Sequence, residues 1–331
     1  MSGSEAVDQP PTGFGYSYWF TCVGCGGRVE VEADLFELQC TGQADFSVCA
    51  CSTAVDVTDQ SPTLRHTEDI ALQTDSVSRL VWYHSSRYEN WPDLEAYTAD
   101  ITAMAMQSAG RFSMIDPDRI IATKLSLAVH LGTYEATIEN LLRRLEDQDR
   151  TDFFETRYWL HRVEIALTNP DDLHFEVIGE FRTMFGDVEL AQLQALGARA
   201  VRYVNLHEAI GSVSLAIDPA LVCTVSTIEL PVAEATLAET TSAAAATAKM
   251  VAAARSDDDS SAEWSEFVEI LQSEYLSGVN PQVREPFLNA VGAYDDPVEF
   301  HRRFRVVAGL LMRPHVVVDM LATAPRRAAP S

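Results

Sequence analysis

The chain has 331 residues (36.5 kDa), with 49 acidic against 24 basic side chains and a formal charge of -25. That length buries a sizeable core in two or three domains, and 47% hydrophobic with 22% charged residues excludes a disordered polymer. No apolar run reaches the roughly 18 residues of a spanning helix, and MSGSEAVDQPPTG lacks the basic and apolar regions of a secretory signal. A pI near 4.5 disfavours non-specific contact with nucleic-acid phosphates. The expectation is a cytoplasmic protein that contacts no membrane.

Composition divides the chain into three parts: a Cys-rich segment over residues 1–60, a mixed region over 75–232 and an Ala-rich, helical region over 233–331. The first holds five of the six cysteines and a single basic residue, Arg28. Cys22 and Cys25 form a C-x-x-C knuckle followed by Gly26 and Gly27, and Val29 and Val31 alternate with Glu30 and Glu32 along a short strand. Cys49 and Cys51 follow about two strands later, with Cys40 a spare thiol between the pairs. In a reducing compartment such pairing favours a structural zinc ribbon over disulfides. The C-x-C spacing of the second pair departs from the usual C-x-x-C, and a ribbon that has lost its metal is the competing explanation. Cys223 lies in an apolar stretch and reads as a buried thiol.

The β-branched and aromatic run Leu80 to Ser86 predicts a strand. Pro92 opens a helix carrying Leu94, Tyr97, Ile101 and Met104 that stops at Gly110. Residues 124–131 predict a second strand, and Thr133 caps a helix over 134–148 whose apolar face is Ile138, Leu141, Leu142 and Leu145. Further strands are expected over 158–167, 201–206 and 212–217, with a short helix over 187–196 and a break at Gly211. Past an acidic Asp257–Asp259 run, helices are expected over 232–254, 262–276, 281–291 and 297–312, ending in an APRRAAPS tail. The helical part reads as a cap or partner-binding bundle, without catalytic residues.

Polar residues gather where three strands give out, the usual place for a site on a mixed sheet. The segments are VWYHSS with His84, VHLGTYEATIEN with His130 and Thr133, and AVRYVNLHEAIGSVSL with Glu208. Each also has a purely structural explanation: a hydrogen-bonded strand histidine, a helix cap, and a solvated glutamate beside a turn. Asn205 and Glu208, three apart, would fall on opposite faces if the strand continued.

Taken in this order the three segments resemble the ADP-ribosyltransferase fold family, in particular its phage- and polyvalent-protein-associated and toxin-type branches, over residues 78–225. The resemblance implies an α+β domain of split antiparallel sheets with NAD, as substrate, in the cleft between them. It implies that His84 and Ser86 hold the nicotinamide-ribose end, and that Thr133 or Tyr134 lines the nicotinamide pocket. Glu208 matches the family's catalytic acid, which bonds the ribose 2′-hydroxyl and stabilises the oxocarbenium ion as nicotinamide departs. Leu206 stands where arginine-modifying members carry an acidic or amide residue, and His-Ser-Ser replaces the commoner His-Gly-Thr.

The implied activity is transfer of ADP-ribose to a macromolecular acceptor, protein before nucleic acid, with an antitoxin or regulatory partner. The alternatives are an NAD glycohydrolase on the same fold and a non-enzymatic zinc-ribbon assembly protein with a degenerate transferase-like domain. Neither HxH nor HExxH occurs, which weighs against a metalloenzyme. Arg87, Arg143 and Arg144 beside the motifs would make a basic cleft inside an acidic shell.

Overall fold

A computed structural model of the protein describes residues 6–111, 114, 116–149, 151–167, 169–180, 187–254, 261–292 and 296–329. The Asp257–Asp259 run lies outside the described residues. In chain order the first strands and helix are β1 (Tyr18–Thr21), β2 (Arg28–Val31), α1 (Ala33–Cys40), β3 (Ser47–Val48) and β4 (Ala54–Val55). Then come α2 (Thr74–Val77), β5 (Trp82–Ser86), α3 (Leu94–Arg111), α4 (Pro117–Leu125), β6 (Val129–Leu131) and α5 (Tyr134–Arg144). Next are β7 (Tyr158–Ile165), β8 (Leu173–Gly179), α6 (Leu190–Ala195), β9 (Ala200–Val204), β10 (Val213–Ile217) and β11 (Val222–Leu230). Five helices and an edge strand complete the chain: α7 (Thr241–Ala253), α8 (Ser261–Tyr275), α9 (Pro281–Val291), α10 (Pro297–Met312), α11 (Pro314–Thr323) and β12 (Arg326–Ala328).

The class is α+β. β1–β2 and β3–β4 are two-stranded, and the two larger sheets run β12-β11-β7-β5 and β6-β10-β9-β8. All pairings are antiparallel except β8 with β9, so the second sheet is mixed. One bridge joins the two sheets: the Tyr83 amide donates to the Gly132 carbonyl at 2.9 Å, and the Gly132 amide returns a bond of 3.0 Å. One apolar cluster takes Trp82, Val163 and Val225 from the first sheet and Leu131, Val213 and Leu215 from the second, so the sheets pack face to face. The back of the first sheet offers Tyr83, Tyr158 and Leu160 to a larger cluster that runs through α5 into Phe287, Phe304, Leu311 and Leu321.

Helix ends follow local chemistry. Thr133 accepts from the Ala136 amide at the start of α5, as expected. The strand expected over 124–131 begins only at Val129, because Asp116 caps a new helix with Pro117 in its first turn and residues 124 and 125 fall in its last. The helix expected from 232 begins at Thr241, capped by the Thr240 side chain. Between the cysteine pairs stand β2, α1 and the short β3, where two strands were expected. The APRRAAPS segment is not a free tail: Arg326–Ala328 pair with β11, and Arg326 also bonds Glu164. Three residues on a sheet edge, two of them exposed, carry no periodic signal, so only the open edge of β11 reveals them.

No single helix among the described residues is long and apolar enough to cross a membrane. The pair α10 and α11, bent by 74°, passes on composition, yet both helices bury Phe304, Leu311, Val317 and Leu321 in the core.

Candidate functional site

Two clusters of reactive side chains stand out. In the first, the sulfurs of Cys22, Cys25, Cys49 and Cys51 all lie within 4.8 Å of one another, with Cys22–Cys51 at 3.5 Å and Cys25–Cys49 at 3.6 Å. Tetrahedral zinc with bonds of about 2.3 Å sets its sulfurs about 3.8 Å apart, so the donor set and its spacing fit a closed metal site. Local sequence builds it. Gly26 takes φ +72°, its amide donating to the Cys22 carbonyl, and the Gly27 amide points at the Cys25 sulfur at 3.4 Å. Ser52, just after the C-x-C, takes φ +70°, and its amide donates to the Cys49 carbonyl at 2.8 Å, closing the turn that carries Cys49 and Cys51. Bonds from the Thr53 side chain and amide bring the Cys51 thiol down to about 6. The Gly27 amide favours the Cys25 thiolate, but the neighbouring sulfurs of Cys51, Cys49 and Cys22 push that thiol up to about 12. Four thiolates at this spacing need a cation to coexist. Cys40, at the end of α1, lies outside the group.

The second cluster gathers parts of the three motifs. His84 on β5 shares a 3.0 Å hydrogen bond between its Nδ1 and the His130 carbonyl, and stacks on Trp91 at 4.3 Å. Ser86 is buried, 2.9 Å from Nε2 of His161, whose Nδ1 lies 2.9 Å from the Thr227 hydroxyl. On β6 the His130 side chain meets the Tyr203 hydroxyl at 2.9 Å, and its Nε2 is sealed without a partner among the described residues. Burial drives all three imidazoles toward the neutral form. It brings His84, which also feels Arg144, down to about 3.

Glu208 sits in the turn between β9 and β10. Its Oε1 accepts from Arg143 at 2.9 Å through Nε, again through Nη2, and from Asn140 at 3.1 Å. Its Oε2 accepts nothing from the described residues and is not sealed from solvent. The turn is strained at Ala209, which takes φ +42°, while Gly211 takes +82°, a conformation glycine adopts freely. A Cβ on Gly211 would stand 2.8 Å from the Thr63 carbonyl oxygen. Gly211→Ala is therefore expected to cost at least about 2 kcal/mol by chemical denaturation. Because β9 ends at Val204, strand alternation does not govern Asn205 and Glu208; Asn205 is buried and donates to Ser212 and Ser214.

Other site expectations separate. Tyr134 is fully buried, donates to the Leu310 carbonyl at 2.8 Å and packs edge-on to Tyr83, whose side chain leaves β5 on the face opposite His84. Thr133 caps α5. No hydrogen bond among the described residues joins His84 to Glu208; the link runs through His130, whose charge state Glu208 influences. Arg143 holds Glu208, Arg144 reaches the Ser85 carbonyl, and Arg87 is exposed.

Sequence reasoning missed Glu139, Glu180 and Arg65. Glu180 Oε2 accepts from the Leu206 amide at 2.5 Å, which places a second carboxylate at the turn although position 206 carries none. Glu139 lies on α5 three residues past Ala136, and its Oε2 accepts from the Ala209 amide at 2.6 Å and the Tyr16 hydroxyl at 2.9 Å. Burial raises the Glu139 carboxyl to about 8, against those two bonds and Arg65, which favour its ionised form. Between about pH 4.5 and 8 the folded state keeps a proton that the unfolded chain releases, so this group makes stability fall as pH rises. Glu139→Gln should flatten that slope in urea titrations across the window.

No protein-family model, no curated protein and no solved structure matches the chain.

Proposed function

We propose that the protein is an NAD-consuming ADP-ribosyltransferase with Glu208 as its reactive carboxylate and a structural zinc on Cys22, Cys25, Cys49 and Cys51. The observation that supports it best is the state of Glu208: one oxygen is fixed by Arg143 and Asn140, and the other accepts nothing from the described residues and is not fully sealed, on a strained turn. A carboxylate held this way suits a ribose 2′-hydroxyl and the positive charge that develops at the anomeric carbon. The bond from that carbon to the nicotinamide nitrogen breaks, its electron pair leaving with neutral nicotinamide. The acceptor's lone pair forms the new bond and the acceptor's proton passes to solvent. His84, neutral, orients the nicotinamide-ribose end of the dinucleotide, and His130 positions His84 through its backbone carbonyl. Tyr134, closed off by α10, serves the core and not the pocket, and Thr133 and Ser86 position backbone.

With water as acceptor the same site is an NAD glycohydrolase. The burial of Tyr134 favours a third reading, a zinc-ribbon assembly protein that binds no NAD. Purified protein incubated with labelled NAD and lysate decides between them. Label on protein supports transfer, free ADP-ribose as sole product supports hydrolysis, and no NAD binding by calorimetry supports assembly.

A further inference from the structure

The Cys-rich segment and the Glu208 turn share one core. Tyr16, Tyr18, Phe20, Val31, Phe36, Val55 and Val57 pack in a single cluster with Ala209 and Ile210, the two residues after Glu208. Polar contacts follow the same path. The Thr63 amide donates to the Trp19 carbonyl on β1 at 2.7 Å, and Arg28 on β2 lies over the Trp19 ring and donates to the carbonyls of Leu64 and Arg65. The Arg65 amide donates to the Gly211 carbonyl at 2.7 Å, and its guanidinium, 4.1 Å over the Tyr16 ring, donates to the Ala209 carbonyl at 2.6 Å. The Ala209 amide goes to Glu139, which the Tyr16 hydroxyl also holds. Both ends of the strained Ala209 residue are therefore fixed by groups that the segment 16–65 supplies or anchors.

That segment has little to hold itself together. Its strands are two to four residues long, its helix α1 has eight, and both cysteine pairs lie in its turns. Segments this small commonly draw part of their stability from a bound metal. We infer that a metal ion on Cys22, Cys25, Cys49 and Cys51 holds the Glu208 turn in its strained form, with Arg65, Tyr16 and Arg28 as positioning residues. The cysteine module is then a wall of the site and makes its geometry dependent on metal occupancy. The consequence for catalysis rests on the transferase reading of Glu208; the mechanical coupling does not.

The test is amide hydrogen exchange by mass spectrometry on the full chain, zinc-loaded and after chelation, without NAD. Peptides covering 205–213 should exchange at least about tenfold faster when zinc is removed, together with those covering 16–65. Faster exchange confined to 16–65 overturns the inference. Should chelation unfold the whole chain, Arg65→Met carries the test: it leaves the four cysteines intact, so it should keep one zinc per chain while 205–213 loses protection. Unchanged protection there overturns the inference equally. If NAD is turned over, Arg65→Met should lower kcat for nicotinamide release with KM nearly unchanged, and Arg65→Lys should recover part of it. A protein that shows the exchange coupling but cleaves no NAD fails the transferase reading alone.

Discussion

Glu208→Gln is expected to lower nicotinamide release from NAD by about 10²–10³-fold while leaving the fold in place. The glutamine carbonyl oxygen still accepts from Arg143 and Asn140, so the side chain keeps its position beside α5. What disappears is the negative charge and the free oxygen that would face the ribose. Arg143 is about a third exposed, so solvent screens much of the lost ion pair and the expected stability change is within about 1 kcal/mol. Thermal unfolding of the variant should therefore coincide closely with that of the native chain. A variant that folds and retains its full rate, or a native protein that binds NAD and releases no nicotinamide, would sink the assignment of Glu208.

The second large effect concerns the cysteines. Cys49→Ser removes a buried sulfur from the four-cysteine group, and metal analysis should show zinc falling well below one per chain. Structural zinc sites in small domains contribute apparent free energies of about 10–16 kcal/mol at neutral pH, more than the short strands of residues 16–65 supply alone. Because this module shares its core with Ala136, Ala209 and Ile210, its loss should lower the thermal midpoint of the whole chain and not of a detached segment. Cys40→Ser is the control: its sulfur stands outside the group, so zinc content and midpoint should hold. Equal zinc content in the two variants would remove the metal assignment.

The two clusters differ in how they were encoded. Cys22 and Cys25, and Cys49 and Cys51, are separated by two and one residues, so each pair's two thiols are placed by the local chain. The Thr133 cap, the Gly211 break and helices α9 and α10 are likewise set by residues within a turn or two of each other. Such features depend on backbone conformation and short-range bonds, and spacing reveals them. Strand β11, with nine residues rich in valine and threonine, carried the same kind of signal and could have been read.

The rest depended on distant contacts. Which face of β5 meets the rest of the site, and so whether Tyr134 or His130 accompanies His84, follows from the Tyr83–Gly132 bridge between two sheets. That Arg65 clamps Ala209, 144 residues away, and that Glu139 accepts from the same residue, leave no periodic trace in the sequence. Even the pairing of Cys22 with Cys51 and of Cys25 with Cys49 required α1 to turn the chain back between them. The sequence by itself determined the thiol donors, the helix caps and the order of the three motifs, because each is a matter of neighbours along the chain. Tertiary structure decided that the four-cysteine module packs against the Glu208 turn and that one Glu208 oxygen accepts nothing among the described residues, because packing joins residues that sequence spacing keeps apart.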